Sequence, residues 1–430
     1  MSAPLSGVRA VLKYTGIPPS LLDKRPSLPS RNWLIFLSIS GSLTGLYVYD
    51  RRQCRAIRQD YIDRVKHIAD EPVDLMHRPR KITVYGAKWP GDEDFDLTLK
   101  YFRKYVKPIL VAAAVDYEMI GGRRLGDLAD RVAEDIKAQR RREAGMDVPH
   151  EVYTQLPFFL PPSKERAQQL SGGIMIIGRP TLKEFMAGLR RGWTEPMDKV
   201  DKEEVLAREL EADGRFDELE DGEIPLPPTP PTSTNASTTP LPVIPPLPPL
   251  ALVPFTDLLG FTKIPLMIWQ WLNRRNDVRT GAEAAYRVIM GQTRPFAAAP
   301  DTLLSGSAPS AASDLDFDAA CERWYKKNVF DLPAETDKSR EKYYTELKTK
   351  LATARELARG TREPTKDEVA NPPPTEVELR AERLKKEKRW RGDVRGWEII
   401  CPDAKTVWDD RFRDALRVFC RPRKVTSLDN

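Results

Sequence analysis

The residue types that carry most enzyme chemistry are scarce in this chain of 430 residues. The histidines are His67, His77 and His150, and the cysteines are Cys54, Cys321, Cys401 and Cys420. The histidines form no H-E-x-x-H motif, and the cysteines form no C-x-x-C pair, so neither set has the spacing of a known metal or redox site. The sequence therefore predicts no catalytic, cofactor-binding or metal-ligating residues, and no cofactor.

Nucleotide-binding sequences are missing as well. The chain contains no G-x-x-x-x-G-K-[ST] motif and no G-x-S-x-G, and no G-x-G-x-x-G follows a candidate strand. The loop at residues 85–91 follows a strand and has the glycines to approach a phosphate. Three acids at residues 92–94 come directly after it and would repel an anion. These patterns predict a protein that is not an enzyme.

Charge and composition limit the class of protein further. Lys and Arg number 69 against 63 Asp and Glu, and the two signs are interleaved, so we expect no nucleic-acid partner. A mean hydropathy of −0.50 excludes a polytopic membrane protein. The 38 prolines exceed the usual share of about 5 % and indicate that part of the chain is not packed.

One uncharged segment, residues 33–49 (WLIFLSISGSLTGLYVY), is the strongest signal in the sequence. As a helix it is about 25 Å long, at the short end of what crosses a hydrocarbon core of about 30 Å. Trp33, Tyr47 and Tyr49 lie at its ends, where aromatic residues anchor helices at the membrane interface. We predict a single transmembrane helix. The alternatives are a buried core helix, which would carry a polar stripe, and a signal peptide, which would begin nearer the first residue.

Small residues follow one another at helical spacing inside this segment. Gly41 and Gly45 form a G-x-x-x-G pair, with Ser38 and Ser42 beside them. Such spacing lets a second helix approach closely, although similar pairs occur in many membrane spans. The pattern predicts a helix-packing face in the membrane.

The arm before the span, residues 1–32, is basic and almost free of acids. It is typical either of a mitochondrial targeting segment or of an ordinary solvated tail. We expect this short arm to stay inside and the long domain to be exported, because long domains translocate largely regardless of their charge.

The remaining chain predicts an α/β fold on this single N-terminal transmembrane helix. Residues 50–79 should form a membrane-proximal helix, and residues 80–193 a small doubly wound domain with a mainly parallel sheet. Its candidate strands are Lys81–Gly86, residues 109–120 and residues 173–178. They are apolar throughout and alternate with amphipathic helices, as in sheets covered on both faces.

The second half of the chain is predicted to be less regular. Residues 194–254 read as a linker. Its acidic first part, residues 194–223, has apolar residues that allow an exposed helix, and residues 224–254 are proline-rich and disordered, a tether rather than an SH3 ligand. Residues 255–430 should form a helical region that packs on the α/β domain. Within it we expect a strand at 397–401 and a helix at 406–418, which would complete the sheet.

An apolar, aromatic stretch at residues 255–275 opens this last region. Pro265 and Lys263 argue against a second membrane span. We expect the stretch either to dock onto the folded domain or to lie on the membrane surface.

Four stretches resemble one known family. They are residues 28–36 (LPSRNWLIF), Lys81–Gly86 (KITVYG), residues 170–178 (LSGGIMIIG) and residues 408–416 (WDDRFRDAL). All are similar to the fungal fifty-four-kilodalton Tim subunit of the mitochondrial inner-membrane carrier translocase. The likeness is strongest over residues 16–140 and 395–420. It extends to the layout of basic arm, one span, large exported domain and proline-rich insertion.

This resemblance implies a scaffold and docking subunit with no catalytic residue. It would sit in the mitochondrial inner membrane as a single-pass protein, with its N-terminus in the matrix and its large C-terminal domain in the intermembrane space. The implied partners are the channel subunit and other subunits of the translocase, the small Tim chaperone hexamers and, transiently, the carrier precursors whose insertion they support.

Two other functions remain open from the sequence. One is a membrane-anchored lipid-kinase-like α/β enzyme, although the chain has no G-G-D-G-T-like phosphate loop. The other is a signal-anchored protein of the secretory pathway, in which the Asn235 sequon would be glycosylated.

Overall fold

Helix α1 (Arg31–Ala69) runs unbroken for 39 residues. It opens a computed structural model that describes residues 30–72, 79–147, 162–216, 243–298, 313–365, 368–369 and 371–421. No proline interrupts the helix, so the predicted membrane segment and the predicted membrane-proximal helix form one element. At about 1.5 Å per residue, α1 is about 58 Å long.

A six-stranded sheet forms the centre of the described residues. Its strands are β1 (Lys81–Gly86), β2 (Asp116–Gly121), β3 (Ile174–Ile177), β4 (Leu250–Val253), β5 (Thr293–Pro295) and β6 (Arg417–Phe419). The order is β2-β1-β3-β4-β6-β5, and only β5 is antiparallel to its neighbour. The mainly parallel α/β fold class is therefore confirmed. Since β2 and β3 flank β1 on opposite sides, the winding reverses between β1 and β3.

Helices cover both faces of this sheet, and others pack beside it. The described helices after α1 are α2 (Leu97–Tyr101), α3 (Lys107–Ala112), α4 (Asp127–Glu143), α5 (Pro162–Gly172), α6 (Arg179–Thr194), α7 (Lys202–Glu211), α8 (Ile264–Leu272), α9 (Arg275–Met290), α10 (Leu332–Arg359) and α11 (Glu376–Ile400). A π-helical turn, Phe102–Val106, joins α2 to α3.

Alternate residues of the strands point to opposite faces of the sheet and belong to two hydrophobic cores. On one face, Ile82 and Val84 of β1 pack with α1, α3 and α9. On the other face, Tyr85 packs with Phe185 of α6 at a ring distance of 5.5 Å. Side chains of a strand alternate between faces, so an apolar strand such as β1 must be covered on both.

The second half of α1 belongs to the first of these cores. Cys54, Tyr61 and Val65 are buried, and Tyr61 meets Tyr286 of α9 edge-to-face at 6.0 Å. Hence α1 is not a free stalk: its last four turns are part of the folded domain.

Helices α7, α10 and α11 form a further cluster, around Leu347, Leu351 and Leu379. Arg383 of α11 is buried there, forms an ion pair with Asp213 and donates to the carbonyl of Leu210 at 2.8 Å. Helix α11 is thus buried along one side, although its sequence is rich in basic residues.

Two predicted elements are wrong, and a third is wrong in its first part. Residues 109–112 are helical rather than extended, because Ile109 and Leu110 continue the buried face of the helix that begins at α2, whereas residues 116–120 of the same predicted strand lie in β2. Residues 397–400 end α11, and Trp397 is buried in a cluster with Leu125 and Val329. Residues 406–418 contain only a short 3₁₀ turn, Asp410–Phe412, and the start of β6.

The end of the predicted linker also differs from expectation. Residues 250–253 form β4, which lies inside the sheet with β3 on one side and β6 on the other. Leu250 and Val253 are completely buried. The proline-rich stretch before them, residues 217–242, lies outside the described residues.

We predict opposite effects for two glycines of α11. A methyl group at Gly396 would lie 2.1 Å from the carbonyl oxygen of Leu125, whereas nothing lies within 4 Å of one at Gly392. Gly396→Ala should therefore lower the free energy of unfolding by roughly 2 kcal/mol through overpacking. Gly392→Ala, the matched control, should raise it by up to about 1 kcal/mol through helix propensity.

Urea denaturation of both variants beside the unsubstituted protein measures these differences. Equal stability of the two variants would contradict the close contact between α11 and the turn before α4.

Candidate functional site

The first half of α1 leaves its apolar side chains uncovered. Trp33, Phe36 and Leu46 are each more than half exposed, and no charged residue occurs between Trp33 and Tyr49. Surface apolar areas of this extent mark contact with a membrane or with another protein. Among the helices of the described residues, none combines the length and the apolar character that crossing a membrane requires.

Helix α8 extends this uncovered surface. Its Trp271 stacks on Tyr47 of α1, with ring centroids 4.7 Å apart and planes at 17°. The guanidinium of Arg51 lies 4.8 Å from the Tyr47 ring and closes the stack on the side of the folded domain. We call residues 33–49 of α1 together with α8 the apolar face.

A buried carboxylate fixes the point where the apolar face ends. Asp50 is 1% exposed and accepts a hydrogen bond from the backbone N–H of Arg275 at 3.2 Å. That N–H opens α9, so the negative charge lies at the positive end of a helix dipole. The Cys54 thiol donates to the same carboxylate at 3.6 Å, and burial raises the pKa of that thiol. This joint ties the first turn of α9 to α1.

Basic side chains lie close together near the joint. They are Arg51, Arg58, Lys104 and Arg274. Burial, and then the neighbouring charges of Arg274, Arg51 and Arg58, lower the pKa of Lys104. A belt of positive charge thus borders the apolar face.

The site residues predicted in the first half of α1 all lie on the apolar face. Ser38, Gly41, Ser42 and Gly45 are exposed, and a methyl group placed on either glycine would meet nothing within 4 Å. Trp33 packs edge-to-face on Phe36 at 5.6 Å. The small-residue stripe is therefore open to a partner, and the role of these residues stays a prediction.

The crevice where doubly wound folds usually bind ligands is filled in this chain. It lies beyond the carboxyl ends of β1 and β3, where the winding reverses. Trp89, which follows β1, is 1% exposed and meets Tyr325 edge-to-face at 5.3 Å. The loop at residues 85–91, for which the sequence argued against phosphate binding, is held by its own chain, because the N–H of Ala87 donates to the Thr181 hydroxyl at 2.9 Å.

Charged side chains occupy the rest of this crevice. Glu322 accepts from Arg179 at 2.8 Å and from Lys183 at 2.6 Å. Lys183 also donates to the carbonyls of Ile400 at 3.2 Å and Cys401 at 2.8 Å, which are the last acceptors of α11. All three protons of this ammonium are used, so the cluster joins α6, α11 and the 314–330 segment into one unit.

A cavity of about 680 Å³ opens elsewhere, toward the amino ends of the strands. Its floor includes Tyr85 and Ile174, and its rim carries the ion pair of Lys81 and Glu118 at 2.7 Å. The position differs from the ligand crevice of doubly wound enzymes.

The histidines and cysteines are dispersed. His67 is exposed near the end of α1, while His77 and His150 lie outside the described residues. All four cysteines are free, and burial raises the pKa of Cys321 to about 12, which leaves that thiol unreactive. In the ranges that the structure describes, no group of three or more His, Cys, Asp or Glu side chains is placed to hold a metal ion.

Fold and surface together define a mainly parallel α/β protein that carries an exposed apolar helical extension. The family model described as inner membrane protein import complex subunit Tim54 matches residues 9–221. The chain is 36% identical to a mitochondrial import inner membrane translocase subunit TIM54 of Cryptococcus neoformans, over 98% of this chain and 96% of that protein.

More distant relatives carry the same name. The one from Candida albicans is 28% identical over 66% of this chain and 84% of its own length. The one from Schizosaccharomyces pombe is 32% identical over 44% of this chain and 51% of its own length. The chain belongs to the Tim54 family of inner membrane protein import complex subunits.

Sequence reasoning missed two features of the site. The stack of Tyr47 on Trp271 joins residues that are far apart in the chain, and only the aromatic character of residues 255–275 pointed toward it. The Arg179–Lys183–Glu322 cluster gave no sequence signal, because its partners come from unrelated segments.

We predict that Glu322→Gln lowers the free energy of unfolding by roughly 3 kcal/mol, because it leaves two buried cations without a counter-charge. The matched control, Glu341→Gln, changes an exposed residue of α10 and should shift stability by less than about 0.5 kcal/mol. Thermal denaturation of both variants measures the difference. Equal melting temperatures would show that the cluster does not hold the C-terminal region.

Proposed function

We propose that this chain is a non-enzymatic scaffold and docking subunit of the carrier translocase in the mitochondrial inner membrane. Residues 33–49 anchor it as a single span, with the N-terminus in the matrix and the α/β domain in the intermembrane space. Family membership and the near-complete alignment with a TIM54 relative support the inner-membrane import role. The observation that carries the anchor is the uncharged, uncovered first half of α1.

The shape of α1 supports a domain that stays close to the bilayer. The apolar segment leads into Cys54, Tyr61 and Val65, which belong to the core, without any break in the helix. The folded domain therefore begins within about one to two helical turns of Tyr49, the last residue of the uncharged segment. A subunit attached in this way would hold other components at a fixed height above the membrane.

A docking role agrees with the filled crevice. Trp89, Tyr325 and the Glu322 cluster occupy the position where a doubly wound enzyme would bind its substrate. At the end of the sheet where such an enzyme holds its reaction site, this domain therefore offers partners a surface. We assign the open stripe of α1 to other translocase subunits, including the channel subunit, and the intermembrane-space domain to the small Tim chaperone hexamers that bring carrier precursors.

Location and partners are tested together with full-length, C-terminally tagged protein in purified mitochondria. We expect protease to remove the tag only after the outer membrane is ruptured. Translocase subunits and small Tim chaperones should co-purify with the tagged chain in mild detergent. A tag that is cleaved in intact mitochondria, or that is protected after rupture, would contradict the orientation. Loss of the small Tim chaperones alone would contradict the docking role.

The small-residue stripe gives a separate prediction. Gly41→Leu combined with Gly45→Leu should weaken assembly of the complex, because large side chains would keep a second helix away. Insertion should be unaffected, since leucine favours the membrane. The matched control is Ser40→Leu with Thr44→Leu, which adds leucines about 100° around the same helix.

Native gel electrophoresis reports assembly of these variants, and resistance to alkaline extraction reports insertion. An intact complex with both glycines replaced would show that this stripe is not a packing face.

A further inference from the structure

Helix α8 is an apolar element that the anchor does not account for. Its sequence, IPLMIWQWL, contains no charge, and of its apolar side chains only Leu272 is buried. Trp269 is 66% exposed, and Phe261, in the 3₁₀ turn before α8, is 90% exposed. A helix that is apolar around most of its circumference is normally covered by protein or by lipid.

The length of α8 decides how lipid could cover it. Nine residues make a helix of about 14 Å, less than half of a hydrocarbon core of about 30 Å. A helix of this length does not cross the bilayer. When lipid covers such a helix, the helix lies along the interface, where tryptophan side chains are favoured because one part of the ring is apolar and its N–H is polar.

The position of α8 in the fold matches an interface. Trp271 stacks on Tyr47, close to the end of the uncharged segment of α1, so both helices contribute to one continuous surface. Basic residues follow both apolar stretches closely: Arg51 comes two residues after Tyr49, and Arg274 two residues after Leu272. Both arginines lie near Lys104. Arg51 lies over both rings of the stack, at 4.8 Å from Tyr47 and 6.0 Å from Trp271.

Positive charge borders α8 at its two ends. Lys263 precedes it and donates to the carbonyl of Trp324 at 2.9 Å, while Arg274 follows it and donates to the Tyr105 hydroxyl at 3.3 Å. Basic groups at the edge of an apolar surface attract the phosphates of lipid headgroups. A folded protein partner would not require a cation at each end of an apolar helix.

We propose that α8, together with Phe261, is an interfacial membrane-binding helix that inserts its exposed side chains into the leaflet facing the intermembrane space. This inference rests on the proposed anchor, because it uses the same bilayer. Two attachments, α1 through the membrane and α8 along it, fix both the tilt and the rotation of the α/β domain. One span alone would leave the domain free to rotate about the axis of α1.

The test uses the full chain, reconstituted in vesicles of phosphatidylcholine and phosphatidylglycerol. Cys401→Ser and Cys420→Ser remove the less buried thiols, and one environment-sensitive fluorophore is attached to a new cysteine. The labelled variants are Trp269→Cys on α8, Phe36→Cys on α1, and Val377→Cys on α11 as the matched control. All three positions are exposed, at 66%, 60% and 76%, so the label does not disturb a core.

The fluorophore at position 269 should show blue-shifted emission, because it lies in lipid. Nitroxide-labelled lipid should quench most of this emission, and aqueous iodide should quench little of it. The fluorophore at position 377 should show no blue shift, and iodide rather than nitroxide-labelled lipid should quench it. If 36 is quenched by lipid while 269 is quenched by iodide, the anchor stands and the interfacial helix is wrong. If 269 is quenched by lipid and 36 is not, the interfacial helix stands and the anchor is wrong.

Occupation by protein is tested in the assembled complex. A photo-crosslinking residue in place of Trp269, activated in mitochondria, should give no discrete protein adduct. A single crosslinked band containing another subunit or a second copy of this chain would overturn the proposal, because that protein would then cover α8.

Discussion

The burial of the second half of α1 in the sheet domain is the constraint on which the rest of the structure depends. Cys54, Tyr61 and Val65 share one core with β1, β3 and α9, so the helix has no separate position of its own. Because the helix is unbroken, the direction of its exposed first half is fixed by that core. The axis of any span formed by residues 33–49 is then at a defined angle to the sheet.

Other contacts strengthen this arrangement from both sides. The buried Asp50, bonded to the first N–H of α9, keeps α1 and α9 together where the apolar face ends. On the far side of the sheet, Lys183 and Glu322 attach the end of α11 and the 314–330 segment to α6. Buried ion clusters of this kind contribute little net stability, but losing one partner is costly, and this favours a single arrangement of the elements.

The sequence predicted the elements whose signal is local. The mostly apolar strand β1, the wholly apolar strand β3 and the helical spacing of the apolar residues in the second half of α1 are local patterns, and they predict these elements. Strand β6, of three residues, and β4, of four, depend on neighbours that are distant in the chain, and their own sequences are too short to distinguish strand from helix. The 397–401 stretch is apolar enough for a strand, but it is held in α11 by packing. For the same reason the candidate site was predictable only in part: the absence of charge marked the segment that carries Trp33, Tyr47 and Tyr49, whereas the contribution of α8 needed the fold.

The distance between spin labels on α1 and on the sheet domain, measured in lipid vesicles, tests directly whether α1 is rigidly attached to that domain. Labels at Leu46→Cys on the apolar face and Val111→Cys on α3 occupy exposed positions on either side of the Asp50 joint. A rigid continuation of α1 predicts one narrow distance distribution. A broad distribution, or two separate ones, would mean that the helix bends at the membrane surface and that the domain is only tethered there.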